Sequence, residues 1–155
     1  NISLYRVTTA NEMYDRAQSL FGKVDIVIAA AAVADYRPKN IEPHKIKKTE
    51  GEMRLTLVRN PDILGSLGNN KKHQFMVGFA LETQDGMDQA KKKLKTKNLD
   101  AIVLNSLADK GAGFGKGTNK VTYIDKNRGD KTFNLKPKSA VAKDILNEII
   151  ISIQA

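Results

Sequence analysis

No cysteine occurs among the 155 residues, so the chain can build no disulfide framework, no thiol nucleophile and no zinc knuckle. Imidazoles are scarce as well: His44 and His73 are the full supply, which argues against a metal cage made of protein ligands and leaves both as expected surface residues. Aromatic side chains make up 6% of the sequence, a thin stock of stacking platforms. The longest apolar run, residues 26–34, is mostly alanine and about half the length that crosses a bilayer. No basic segment followed by an apolar stretch opens the chain. A soluble cytoplasmic protein, with no membrane partner, is the expectation.

Several familiar motifs are missing too. No G-x-G-x-x-G joins a strand to a helix, so the dinucleotide fingerprint is absent. Gly111, Gly113, Gly115 and Gly117 form a glycine-rich loop but lack Walker A spacing, because Gly117 follows Lys116 where Ser or Thr is required. Tyr36 and Lys39, like Tyr123 and Lys126, are three apart, whereas the catalytic tyrosine and lysine of short-chain dehydrogenases are four apart.

What the chain does have is positive charge. A formal net charge of +9 favours an anionic partner, whether nucleic acid, an acidic membrane surface or a small polyphosphate. Lys91, Lys92, Lys93, Lys95 and Lys97 crowd one predicted helix and its end, and Lys93 and Lys97 can share a face. A solvated basic face is the simpler reading of that run. Lys45, Lys47 and Lys48 lie in a loop stiffened by Pro38 and Pro43, which could fold over a triphosphate.

The periodicity alternates between strand and helix. Residues 2–7 read as a short strand, and Thr9 with Glu12 has capping-box spacing for a helix to about Leu20. Residues 24–30, apolar but for Asp25 and carrying β-branched Val24, Ile26, Val27 and Ile28, read as a strand covered on both faces. Residues 35–50 read as a long loop or flap, residues 53–58 as a strand, and Pro61 as the first position of a short helix. Residues 75–80 and 101–104 read as buried strands flanking a helix from Asp85 to about Lys95, with Asn98 as its stop. Residues 121–124 and 132–135 flank the turn residues 127–130 as a hairpin. Ser139 then caps a last helix that buries Val141, Ile145, Leu146 and Ile149.

The pattern predicts one α/β domain over 1–155: a Rossmann-like, mostly parallel sheet with helices on both faces and a carboxyl-terminal antiparallel hairpin extension. Such sheets bind ligands at the carboxyl ends of their strands. Three strands here run out into small or polar residues, at Ala30-Ala31-Ala32, at Gly78-Phe79-Ala80 and at Asn105. If the three are adjacent, one site spans them. Asp35 after the first could hold magnesium or ribose hydroxyls, or simply form a turn; Phe79 could stack on a base or pack in the core.

The ordered set Ala31-Ala32-Val33-Ala34-Asp35-Tyr36-Arg37, Lys45-Ile46-Lys47-Lys48, Asn60-Pro61-Asp62-Ile63-Leu64 and Gly78-Phe79-Ala80-Leu81-Glu82-Thr83 resembles the nucleotide-binding, carboxyl-terminal part of phosphopantothenoylcysteine synthetases. The likeness covers nearly the whole chain. It implies a dimeric ligase that joins 4'-phosphopantothenate to L-cysteine with CTP and Mg2+, through an acyl-cytidylate, in coenzyme A biosynthesis. By position it makes Lys45 the catalytic flap lysine, with Lys47 and Lys48 as second choices. It makes Asp35 a nucleotide-site aspartate acting through magnesium or directly on CTP. Ala30, Ala31 and Ala32 would let backbone approach the nucleotide, Pro61, Asp62, Ile63 and Leu64 would lie beside the base, Phe79 would pack on base or ribose, and Lys93 and Lys97 would be the basic pair. The resemblance also implies an amino-terminal strand and helix, bearing an asparagine and serines, with no counterpart before Asn1; a chain without them is expected to be incompletely folded or inactive. FMN is expected only with a fused phosphopantothenoylcysteine decarboxylase, which this sequence does not encode. Two other classes stand beside this reading. A basic nucleic-acid-binding module lacks any reading element, so no nucleic-acid partner is expected, and a dinucleotide-dependent reductase on the same fold lacks the glycine loop.

Overall fold

A computed structural model describes residues 1–47, 50–82, 85–106 and 116–154. The predicted Lys48 and most of the glycine-rich loop, including Gly111, Gly113 and Gly115, lie outside the described residues.

Helix α1 (Ala10–Phe21) opens on the predicted capping box, with the Glu12 N–H donating to Thr9 Oγ1 at 3.1 Å and the Glu12 carboxylate accepting from the Thr9 N–H at 3.3 Å. The same carboxylate takes the Thr8 N–H at 2.7 Å, and these hydrogen bonds hold it below the usual glutamate range. The preceding residues 2–7 form no strand: Ile2 is 98% exposed, and no described segment pairs with them. Alternation alone does not make a strand; a ladder needs a neighbour.

The main sheet contains β1 (Ile26–Ala29), β4 (Phe75–Glu82), β5 (Ala101–Ser106), β6 (Thr118–Asp125) and β7 (Gly129–Pro137), in spatial order β1-β4-β5-β6-β7. The pairs β1–β4 and β4–β5 are parallel, whereas β5–β6 and β6–β7 are antiparallel, so the hairpin extends a parallel half. The hairpin turn lies where predicted, with Gly129 at φ 87 supplying the left-handed conformation. Strand β2 (Tyr36–Pro38) pairs antiparallel with β3 (Leu57–Arg59) as a separate ribbon. The segment predicted as a loop from Asp35 therefore starts in a strand, and the strand predicted over 53–58 is shorter and displaced to the arm that returns to the ribbon.

Period-two alternation in β4 sends side chains to two cores. Met76 and Ala80 join Leu67, Leu94, Leu99, Ile102 and Leu104 beneath α1, α2 (Ile63–Asn69) and α3 (Gly86–Thr96). Phe75, Val77 and Phe79 face the other way, with Val103, Val121, Tyr123 and the Val141, Ile145 and Ile149 stripe of α4 (Lys138–Gln154). Helices thus cover both faces, as the pattern predicts. Burial raises the Tyr123 phenol above its usual range, and its hydroxyl has no hydrogen-bond partner among the described residues.

Four local expectations change. Among the described residues strand β1 lies at the sheet edge and is not covered on both faces: Ile26 and Ile28 are each 43% exposed. Asp62, not Pro61, begins α2 as its N-cap, with the Gly65 N–H donating to Asp62 Oδ1 at 3.0 Å. Ser139 lies inside α4, because β7 runs directly into the helix at Lys138. Leu146 points outward at 50% exposure. Its expected place is taken by Glu148, 4% exposed, whose carboxylate meets Lys131 at 2.5 Å and Arg128 at 3.6 Å. The Asn98 stop holds: with φ 51 it ends α3 in the left-handed conformation that asparagine tolerates.

Candidate functional site

The parallel strands β1, β4 and β5 are neighbours and end at one edge, where the sheet-edge rule places a site. There a cleft of about 370 Å³ opens on the α4 side. Ala30, Ala31 and Ala32, leaving β1, form one wall; Phe79 and Leu81 form the floor; Val141, Ala142 and Ile145 of α4 form the opposite wall. Phe79 occupies an odd position of β4, so it packs against the second core, as one of its two expected roles has it, and also lines this cleft. The alanines leave room for backbone approach. Asn105, Asn119 and Lys138 supply the polar lining.

The flap is anchored beside the cleft. The Asn60 N–H donates to the Asp35 carbonyl and Asn60 Nδ2 to the Ala34 carbonyl, both at 2.8 Å. Arg37 Nη1 donates to the Arg59 carbonyl and to Asn60 Oδ1, both at 2.9 Å. The Lys39 N–H closes the ribbon onto the Thr56 carbonyl at 2.8 Å. The described residues of the flap, 40–47 and 50–55, thus hang from a two-stranded root. Asp35 stands exposed where β1 passes into that root, and Lys45 is exposed on the flap beyond it.

The remaining candidates gather across the sheet. Ile63 and Leu64 pack on the first core, and Leu64 comes so near β4 that a Cβ on Gly78 would lie 3.0 Å from its Cδ2. Lys97 Nζ meets the Asp62 carboxylate at 2.9 Å, and Lys93 Nζ meets Glu82 at 2.6 Å at the end of β4. Partial burial pushes the Asp62 carboxyl upward, but hydrogen bonds from the Gly65 N–H and the Lys97 ammonium outweigh it and leave Asp62 below the ordinary carboxylate value.

Among the predicted residues, then, Ala30, Ala31, Ala32 and Phe79 share the cleft. Asp35 and Lys45 belong to the flap and its root, while Pro61, Asp62, Ile63, Leu64, Lys93 and Lys97 form a group about α2 and α3. Sequence reasoning missed Arg37, Asn60, Asn119 and Lys138 as parts of this edge. Arg37 and Asn60 stood inside the quoted motifs, but their bond joins segments 23 residues apart. No group of three His, Asp or Glu residues among those described could cage a metal. A lone carboxylate such as Asp35 suits a magnesium ion that arrives on phosphates and keeps most of its waters. Among the described residues, no helix is long and apolar enough to cross a membrane.

Comparison with known proteins adds the lineage of this geometry. The model of the DNA/pantothenate metabolism flavoprotein C-terminal domain matches residues 1–152. A relative named cysteine/cysteine sulfinic acid decarboxylase, from an unknown prokaryotic organism, is 48% identical over 97% of this chain and 42% of its own length. The coenzyme A biosynthesis bifunctional protein CoaBC of Bacillus subtilis is 47% identical over 92% of this chain and 35% of its own. The chain therefore spans less than half of either relative. The crystal structure of the C-terminal domain of a CoaBC superposes with a TM-score of 0.78 at 33% identity, over 97% of this chain and 65% of that one. A Cab2 mutant in complex with phosphopantothenate-cysteine shares the fold at a TM-score of 0.71 and 20% identity, over 97% of this chain and 54% of that one.

Proposed function

Because this chain belongs to the DNA/pantothenate metabolism flavoprotein C-terminal domain family, we propose that it is the nucleotide-handling part of a CTP-dependent ligase that joins 4'-phosphopantothenate to L-cysteine in coenzyme A biosynthesis. The observation that carries the reading is the cleft at the ends of β1, β4 and β5, with the lysine-bearing flap anchored at its side. The CoaBC relatives are named for coenzyme A biosynthesis, and the Cab2 protein of the same fold holds the product of this ligation. The decarboxylase name belongs to a protein of which this chain matches 42%.

In the reaction, a carboxylate oxygen of phosphopantothenate attacks the α-phosphorus of CTP. An O–P bond forms, the bond to the β-phosphate oxygen breaks, and pyrophosphate leaves. The cysteine amine then attacks the acyl carbon, a C–N bond forms, CMP leaves and the amine loses its proton. Negative charge builds first at phosphorus and then on the carbonyl oxygen, so fixed cations and backbone donors are the required machinery. Lys45 is the flap cation for the α-phosphate, with Lys47 on the same segment. Lys93 and Lys97 bind the nucleotide by exchanging their carboxylate partners for phosphate oxygens. Ala30, Ala31 and Ala32 admit the nucleotide, Phe79 offers its ring to base or ribose, and Pro61, Asp62, Ile63 and Leu64 present backbone groups to the base. Asp35 would hold magnesium, which when bound neutralises phosphate charge. The reading carries with it a cytoplasmic homodimer and, in bifunctional relatives, a fused FMN-dependent decarboxylase.

The test is pyrophosphate release from CTP and phosphopantothenate without cysteine, in the full-length protein. Release that requires phosphopantothenate is expected. A folded protein that binds CTP and releases none would refute the proposal.

A further inference from the structure

The cleft contains two carboxamides whose orientations are fixed by a backbone donor. The Lys120 N–H donates to Asn119 Oδ1 at 3.0 Å. A backbone N–H cannot accept, so that end of the Asn119 side chain is its oxygen and the other end is its NH2. The NH2 donates to Asn105 Oδ1 at 3.2 Å. Asn105 therefore meets Asn119 through its oxygen, and its own NH2 is left for other acceptors. Asn119 is 8% exposed, and a register shift between Asn119 and Val121 marks the same stretch of β6. Asn105 sits beside Leu81 in the β4–β5 register and lines the cleft with Phe79.

We propose that Asn119 is a positioning residue that locks Asn105 with its NH2 toward the cleft, where it donates to an acceptor oxygen of the bound nucleotide. This rests on the nucleotide reading of the cleft given above. The polarity is the content of the proposal: the site accepts a ribose or phosphate oxygen at this point and disfavours a group that can only donate.

Asn119→Asp reverses that polarity without changing volume. It keeps an oxygen for the Lys120 N–H but places a second oxygen where the NH2 stood, so Asn105 must turn its NH2 inward and show its carbonyl to the cleft. The added negative charge would weaken CTP binding by itself, so the measurement is a double-mutant cycle with Asn105→Ala in the full-length protein. CTP dissociation constants are read by calorimetry and melting temperatures alongside.

Asn119→Asp is expected to weaken CTP binding about tenfold or more in the wild-type background, since an attraction becomes a repulsion. Its effect should shrink to about twofold once Asn105 is alanine, because no amide remains to be turned. Phosphopantothenate affinity should stay within about twofold. An equal effect of Asn119→Asp in both backgrounds means a through-space charge and overturns the relay. A shift in phosphopantothenate affinity in place of CTP overturns the assignment of the ligand. Should Asn119→Asp fail to fold, Asn105→Ala alone decides: unchanged CTP affinity rejects the donor. Because these readouts are binding constants, they stand apart from turnover; failure of pyrophosphate release in the wild type would sink the ligase reading and not the relay.

Discussion

Gly68→Ala tests the packing that holds the α2 part of the site. Gly68 is buried in α2, and a Cβ there would lie 2.0 Å from the Lys97 carbonyl oxygen and 2.9 Å from its carbon. Those atoms are backbone at the end of α3, so no side-chain rotation relieves the contact. The two helices must separate by an ångström or more. That movement strains the bond from Asn98 Nδ2 to the Gly68 carbonyl, now 3.0 Å, and pulls Lys97 from Asp62. Alanine in place of glycine favours a helix by about 1 kcal/mol. Overpacking costs about 1–3 kcal/mol, and more against rigid backbone. The expected net is a loss of about 2 kcal/mol, or roughly 1 M in urea midpoint for an m-value near 2 kcal/mol/M. Gly22→Ala is the matched control: φ there is −70 and a Cβ would meet nothing within 4 Å. It should be neutral or stabilise by up to about 1 kcal/mol. If Gly68→Ala matches the control in urea unfolding, the close approach of α2 to the end of α3 is wrong.

Lys45→Gln should leave the urea midpoint unchanged, since the side chain is exposed on the flap, while lowering kcat for pyrophosphate release by about 10²–10³, the scale of losing one charge-stabilising group; wild-type turnover would remove Lys45 from the mechanism. Asp62→Ala should cost about 1 kcal/mol at pH 7 through loss of the N-cap. The folded Asp62 carboxyl lies below its ordinary value, so the stability it adds is full above about pH 4 and fades as pH falls through the folded value. The gap between wild type and Asp62→Ala in urea midpoint should therefore narrow toward pH 3, and a constant gap would assign the effect to something other than the charged cap.

What the sequence reveals depends on how local the cause is. The Thr9 and Glu12 capping box and the left-handed Asn98 stop are set by residues three or four apart, and both are read correctly. The runs at 75–80 and 101–104 are legible because a strand buried on two faces needs no polar side. The same rule fails for Ile26 and Ile28, since whether a face is covered depends on what packs against it from elsewhere, and nothing in residues 24–30 encodes that. Leu146 fails for a related reason: Glu148 is buried because Lys131 and Arg128, on the hairpin, meet its carboxylate. For the site, strand-end composition placed the alanines, Phe79 and Asn105 at one edge. Asn119 could not be found that way, because the role proposed for it comes from a hydrogen bond across two antiparallel strands.

The basic run acquires meaning only when its partners are known. Lys93 and Lys97 belong to a lysine cluster whose simplest reading is a solvated face, yet each ammonium is held by a carboxylate, Glu82 at the end of β4 and Asp62 at the start of α2. Partly exposed pairs of this kind are worth about 0–1 kcal/mol, so giving them up for a phosphate costs little. Ordering the two side chains beforehand removes part of the rotamer entropy, about 2 kcal/mol for a free lysine, that binding would otherwise have to overcome. On the proposed nucleotide reading, the carboxylates would act as placeholders. They would hold two cations in place, at the end of β4 and at the start of α2, until phosphate oxygens replace them. Lys91, paired with Asp130 on the hairpin at 2.7 Å, is tied to a different part of the fold. One lysine run is thus tied to three different elements, because Glu82, Asp62 and Asp130 sit on β4, at the start of α2 and on β7.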